Sequence, residues 1–293
     1  MKIAFINLTP SISAQQVYYD KSTYGSTLQL NFSTGMAAGT KFYRMFNVKT
    51  NFLGLDINNL RHIITPTASY SYGNNSTMPS GDLRIGGGAS VPVDDAIALE
   101  LSNKLQTKRK SQSVDIVDFK VSSNYNITPK TGTKRGSSFS DFLFELKLLP
   151  YSWMSFNADT TYNHYEDYFS NVNWDMKFNF SEGRSIGFGH RYQRKAGKEI
   201  TFDVDWRLHP KWKFGIYERY QFARIPGYKR GLREQEYFIS RDLHCWTLEI
   251  TYNVTRDKGE SIWFVFRLKA FPELEFDLNQ SYHEPKPGSQ LNP

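Results

Sequence analysis

Apolar and polar residues alternate along this chain with a period of two. Residues 171–180 read NVNWDMKFNF, with Val172, Trp174, Met176, Phe178 and Phe180 apolar and every residue between them polar or charged. Period two means a β-strand, with one set of side chains on each face of a sheet. The same alternation recurs from end to end. It marks Ala4–Ile12; Leu28, Leu30 and Phe32, running on toward residues 40–46; 62–72; Ile97–Leu101; Val117–Val121; Phe142–Leu148; and Met154–Tyr162. After 171–180 it marks Ile186–Tyr192, thinned by Gly187 and Gly189; Phe202–Leu208; Trp212–Phe222, broken by Glu218; 236–241; Trp246–Val254; and Ile262–Leu268. That predicts fourteen strands. Helical periodicity is almost absent.

The connections carry a second signal. Residues 149–153, 181–185, 209–212 and 241–244 are short turns. Between them lie 163–170, 194–199, 224–235 and 256–260, mostly longer and more charged. Short and long ends that alternate along the chain are the mark of an outer-membrane barrel, whereas a soluble sandwich has no reason to sort its loops by parity. The predicted fold is therefore all-β: an antiparallel, up-and-down transmembrane β-barrel of about fourteen strands over residues 1–271. An extended periplasmic C-terminal tail over 272–293 is expected to follow. Pro10 and Pro66 each remove a ladder donor, and mark bulges or strand ends.

Composition agrees. Hydrophobic residues make up 39% of the 293, yet aromatics reach 16%. A thin apolar skin with aromatic girdles and a polar interior has that profile. No run approaches the ~20 apolar residues of a membrane helix. In such a barrel the polar set, including Asp175, Lys177, Asp203, Asp205, Arg207, Glu249, Arg267 and Lys269, faces the lumen. Trp153, Trp206, Trp212 and Trp246 lie near short turns, as an interfacial belt requires. The net charge of +7 suits phosphate-bearing partners. No recognition-helix or RNP-like pattern points to nucleic acid. The six histidines show no metal-ligand spacing, and no GxSxG occurs. No catalytic residue and no cofactor are expected. No secretion signal is visible at the start, so the chain is expected to be a fragment of an exported protein.

The stretch SRDLHCWTLEITYNVTRDKGESIWFVFRLKAF (240–271) resembles the C-terminal end of the LPS-assembly outer-membrane family LptD (OstA/Imp). TKFYRMFNV followed by LRHIITPTASYSY, and LELSNKLQTK (99–108), are similar to it as well. The resemblance implies the C-terminal half of a barrel of about 26 strands. It also implies an outer-membrane location and an LptE-like lipoprotein plug. Lipopolysaccharide (LPS) would arrive by an LptA-like bridge through an N-terminal domain not in this chain, and leave through a gap between the first and last strands. The final strand, with Ile262, Phe264, Phe266, Arg267, Leu268 and Lys269, would then border a lateral gate. Cys245 stands where the family often has two adjacent cysteines bonded to the N-terminal domain. Here His244 precedes it, which leaves one such bond or a free thiol. Arg224, Lys229, Arg230 and Arg233, in an outer loop, would either meet LPS phosphates or serve solubility. Two other classes stay open: a porin or fatty-acid channel, and an outer-membrane lipid A hydrolase.

Overall fold

The computed structural model describes residues 1–22, 25–75, 95–127, 138–222, 230–256 and 258–269. The segment 272–293 lies outside them. Sixteen strands form one antiparallel sheet. They are β1 (Lys2–Ile3), β2 (Ile6–Ser22), β3 (Gly25–Gly39), β4 (Phe42–Thr50), β5 (Ile57–Asn75), β6 (Asp95–Arg109), β7 (Gln112–Asn126) and β8 (Phe142–Tyr151). Then come β9 (Met154–Asn163), β10 (Tyr168–Ser181), β11 (Arg184–Gln193), β12 (Gly197–His209), β13 (Trp212–Gln221), β14 (Gly231–Asp242), β15 (Trp246–Thr255) and β16 (Gly259–Leu268). From β5 onward each strand pairs with its sequence neighbours, the up-and-down order of a barrel wall. Among the described residues no helix is long and apolar enough to cross a membrane.

Sixteen strands make fourteen passes. β1 is a two-residue hook paired back on β2. β3 and β4 both pair with β5, β3 through Gly39↔Thr67 and β4 from Phe42↔Ile64. They are one pass broken at Thr40–Lys41, and Pro66 lies opposite the break. The Thr40 amide donates to the Pro66 carbonyl at 3.2 Å. In an antiparallel ladder a residue's N–H and C=O point to the same side. The donor that Pro66 lacks is thus the one that would return to Thr40, and the ladder is interrupted there. Across the break the small side chains of Ala38 and Ala68 leave an apolar groove of about 530 Å³, walled by Leu99, Leu101 and Phe142.

The burial of this sheet is inverted relative to a soluble protein. Among the described residues the buried hydrophobic side chains are Ile63, Ile116 and Tyr217. The buried polar ones include Asp159, Asn173, Arg191, Glu199, Gln221 and Glu236. Large apolar residues such as Phe188, Ile239, Ile262, Phe264 and Phe266 are exposed. Register puts each kind on its own face. Trp174 pairs with Ala158 and His190, and Phe178 with Met154 and Ile186, on the apolar side. Asn173 pairs with Asp159 and Arg191 on the other. Among the described residues no second layer covers Trp174 or Phe178. An apolar face left open is stable only against hydrocarbon.

Glu218, the polar intruder in β13, stands on the apolar face opposite Phe202 and Gln235. The Tyr237 hydroxyl donates to its carboxylate at 2.9 Å, and so covers part of its charge. The glycines that thin β11 have a cause on the polar face. A Cβ on Gly187 would fall 2.0 Å from the Asp203 carboxylate, and one on Gly189 would fall 2.3 Å from the Thr201 hydroxyl. Side chains of the neighbouring strand fold over those bare backbones.

The two faces differ in what they tolerate. Leu146→Arg, at mid-strand on the apolar face of β8, is expected to destabilise the lipid-embedded protein by about 2–4 kcal/mol. The same change at Asn157, its neighbour on the polar face of β9, should cost a small fraction of that. Urea unfolding of both variants in bilayers checks the contrast.

Candidate functional site: the charged face and the last strand

Cross-strand ion pairs run the width of the polar face. At β5–β7 the chain of contacts is Arg61 to Gln106, Gln106 to Asp115, and Lys104 to both Asp115 (3.3 Å) and Asp118 (2.9 Å). The ladder shifts by one residue between Leu105 and Gln106, leaving Ile116 as the extra residue of a bulge. The bulge brings two carboxylates to one ammonium, as bulges re-aim side chains. Farther along, Asn173 donates to Asp159 at 2.9 Å and Arg191 to both oxygens of Asp175 at 2.7 and 2.6 Å. Lys213 meets Asp205 at 2.9 Å, and Arg267 meets Glu249 at 3.3 Å.

The deepest group is Glu199, 1% exposed. Arg233 donates to its Oε1 at 2.7 Å, and the Arg219 guanidinium lies 3.9 Å from its Oε2. Arg219 also approaches Glu234 at 3.5 Å and donates to the Tyr217 hydroxyl at 3.0 Å. A register shift between Arg219 and Tyr220 makes Arg233 the bulge residue of β14. That bulge turns Arg233 to the polar face beside Glu199. Arg233 therefore lies on a strand with a buried partner, not in the outer loop where the sequence pattern puts it.

The last strand is held firmly on one side. β16 pairs β15 through a regular ladder from Trp246↔Leu268 to Thr255↔Gly259, with no register shift. Its other edge pairs with no strand among the described residues. Ile262, Phe264, Phe266 and Leu268 share the apolar face, with Phe264 64% exposed. Arg267 is on the polar face with Glu249, and Lys269 reaches Asp242. The six residues named for this strand thus divide by face: four toward lipid, two into charge pairs.

With the site laid out, comparison with known proteins gives one family. Residues 106–212 match the model of LptD, described as LPS transport system D. Over that segment, somewhat more than a third of the chain, the protein is similar to the LptD family. The matched segment runs from the end of β6 to the start of β13. It covers the central charged rows, and not the stretch 240–271 on which the sequence resemblance rests most. No curated protein matches. Solved structures with the same kind of sheet include two mutants of the Rhodopseudomonas blastica porin, at 7% and 8% identity. Each covers 89% of this chain and 98% of its own, with TM-scores of 0.37 and 0.36. At those TM-scores they carry no argument. The chain is an outer-membrane β-barrel wall, and the family that residues 106–212 resemble is one of LPS transport.

The remaining residues of interest lie on the same wall. Asp175, Lys177, Asp203, Asp205, Arg207 and Glu249 share the polar face: Asp175 and Lys177 oppose Gly189 and Gly187, and the latter opposes Asp203. Arg230, at the foot of the long 221–231 connection, donates to the Tyr220 hydroxyl at 3.2 Å. Arg224 and Lys229 lie outside the described residues. Cys245 is exposed in the β14–β15 turn, at the short-turn end. His244 beside it takes a left-handed φ of 72°. Tertiary packing also shows a tie the sequence did not announce. Arg109 donates to the carbonyls of Leu55 (2.8 Å), Leu149 (3.1 Å) and Pro150, and so stitches three short turns together. Nothing in the alternation marks that arginine, because its partners are backbone oxygens of distant turns.

Two outcomes test this geometry. Arg233→Ala leaves Glu199 buried without its closest donor and should cost about 3–5 kcal/mol, while the joint replacement Glu199→Gln, Arg233→Met should cost much less. Thermal melting of both in lipid decides it. Asp242, at the turn end of β14, accepts from Lys269 and from the His244 amide. Asp242→Asn removes the charge partner of Lys269, and hydrogen exchange at the end of β16 should be faster in that variant than in the wild type.

Proposed function

We propose that this chain forms part of the wall of an outer-membrane translocon that inserts LPS into the outer leaflet through a lateral gate beside β16. The observation that carries the reading is the asymmetry of that strand. One edge has a full ladder and the other has no strand against it among the described residues, between an apolar row and a charged face. In hydrocarbon an open row of backbone donors and acceptors is untenable, so another strand must meet it. Two strands that no hairpin turn joins can part without a covalent connection holding them together. The family match over 106–212 supports LPS as the cargo.

In this reading the apolar face anchors the wall, and the polar face lines a lumen that receives an LptE-like plug. The paired charges there suit both a protein plug and a sugar head group. LPS arrives by an LptA-like bridge through a periplasmic domain elsewhere in the protein, to which Cys245 could be bonded. Arg230, with Arg224 and Lys229, is offered to LPS phosphates at the outer end. Function is transport, with no bond made or broken.

A photo-crosslinking amino acid at Phe264 or Phe266 should capture LPS in growing cells. The same residue at Phe144, on the same face but in mid-wall, should capture little. Equal capture at the three positions, or none at any, overturns the gate.

A further inference from the structure

Two arginines stand on the apolar face, where a charge is least expected. Arg184 is the ladder partner of Trp206 across β11–β12, and Arg241 that of Trp212 across β13–β14. Each guanidinium lies over its partner's indole, at 5.4 Å and 4.9 Å from the ring centroid. Both pairs sit at the short-turn end, one hairpin apart, with exposed Lys211 on the turn between them. Both arginines are exposed. Arg184 spends its Nε–H on the Arg207 carbonyl at 3.1 Å. Among the described residues neither has a carboxylate within ion-pair distance. The nearby acids are engaged elsewhere: Glu182 with Arg207 and Asp242 with Lys269.

An indole at the hydrocarbon boundary fixes the depth of this row. A guanidinium held over it keeps its cation by the ring's negative face. Its terminal N–H groups suit a phosphate, and the short-turn end of an apolar face lies at the head-group layer. The repeat of one cross-strand Arg–Trp pair in two successive hairpins is unlike the rest of the apolar face, whose other ladder partners are mostly apolar or aromatic.

We infer that Arg184–Trp206 and Arg241–Trp212, with Lys211, form a binding site for the phosphate head groups of anionic phospholipids in the leaflet at the short-turn end. The inference rests on the membrane-wall reading and is independent of the gate. It concerns the lipid that holds this wall in place, not the lipid it moves.

The test uses the full protein in nanodiscs of phosphatidylcholine alone or with added phosphatidylglycerol, with lipid retention counted by native mass spectrometry. The wild type should keep phosphatidylglycerol in preference to phosphatidylcholine. The double variant Arg184→Gln, Arg241→Gln should lose that preference by about tenfold, the scale of one or two charge-assisted hydrogen bonds. Arg184→Lys, Arg241→Lys keeps the charge without the fork and should retain part of it. Heat-modifiable migration on gels verifies that each variant is folded, and a misfolded glutamine pair is replaced by the single changes. An unchanged preference in folded glutamine variants overturns the site. Equal protection of the wild type by inorganic phosphate would show an anion site without lipid, and also overturns it. Neither result touches LPS capture at Phe264 and Phe266, so the two readings fail separately.

Discussion

Everything in this structure answers to one constraint: a backbone in hydrocarbon must satisfy its hydrogen bonds within the sheet. Water is not there to take a stray donor, and each orphan costs several kcal/mol. The fourteen passes meet that demand with near-continuous antiparallel ladders. The exceptions carry information. Where Pro66 withholds a donor, the opposing pass breaks at Thr40 and resumes two residues later. At the far edge of β16 no strand pairs among the described residues.

Once the ladders are set, the pleat sorts the side chains, and sorting creates a second problem. Most of the charged residues of a strand arrive on one face beside those of its neighbours. Like charges opposite each other would destabilise the sheet. The wall avoids this by matching signs across strands, as in Lys104 with Asp115 and Asp118, and Arg191 with Asp175. Bulges at Ile116 and Arg233 adjust the match where simple register fails. Glycine supplies room where the paired side chain must lie flat, as Phe238 does over Gly215, where a Cβ would come within 2.0 Å of the ring.

The functional reading follows from the two faces together. The apolar one, belted by Trp153, Trp206, Trp212 and Trp246 toward the short turns, sets where the protein sits. The charged one offers a wet, self-neutralised surface. The family model matched by residues 106–212 is one of LPS transport. The last strand joins the two, with hydrocarbon-facing Phe264 and Phe266 and polar-side Arg267 on alternate residues.

Alternation was enough to reveal the class of the molecule, because a period of two has one structural cause and the strand's own residues carry it. The twelve passes from β5 onward follow the apolar runs, and even the continuation of the second pass through residues 40–46 was legible. The polar set from Asp175 to Glu249 could be gathered onto one face by parity alone. Ion-pair choice could not, because register across strands depends on turn lengths and bulges. So Arg233 read as a loop cation and proved to be a strand residue bound to Glu199. Arg109, tied to three turns, and the Arg–Trp pairs were equally hidden. A strand's pattern states which way each side chain faces; only the assembled sheet decides which neighbour it meets.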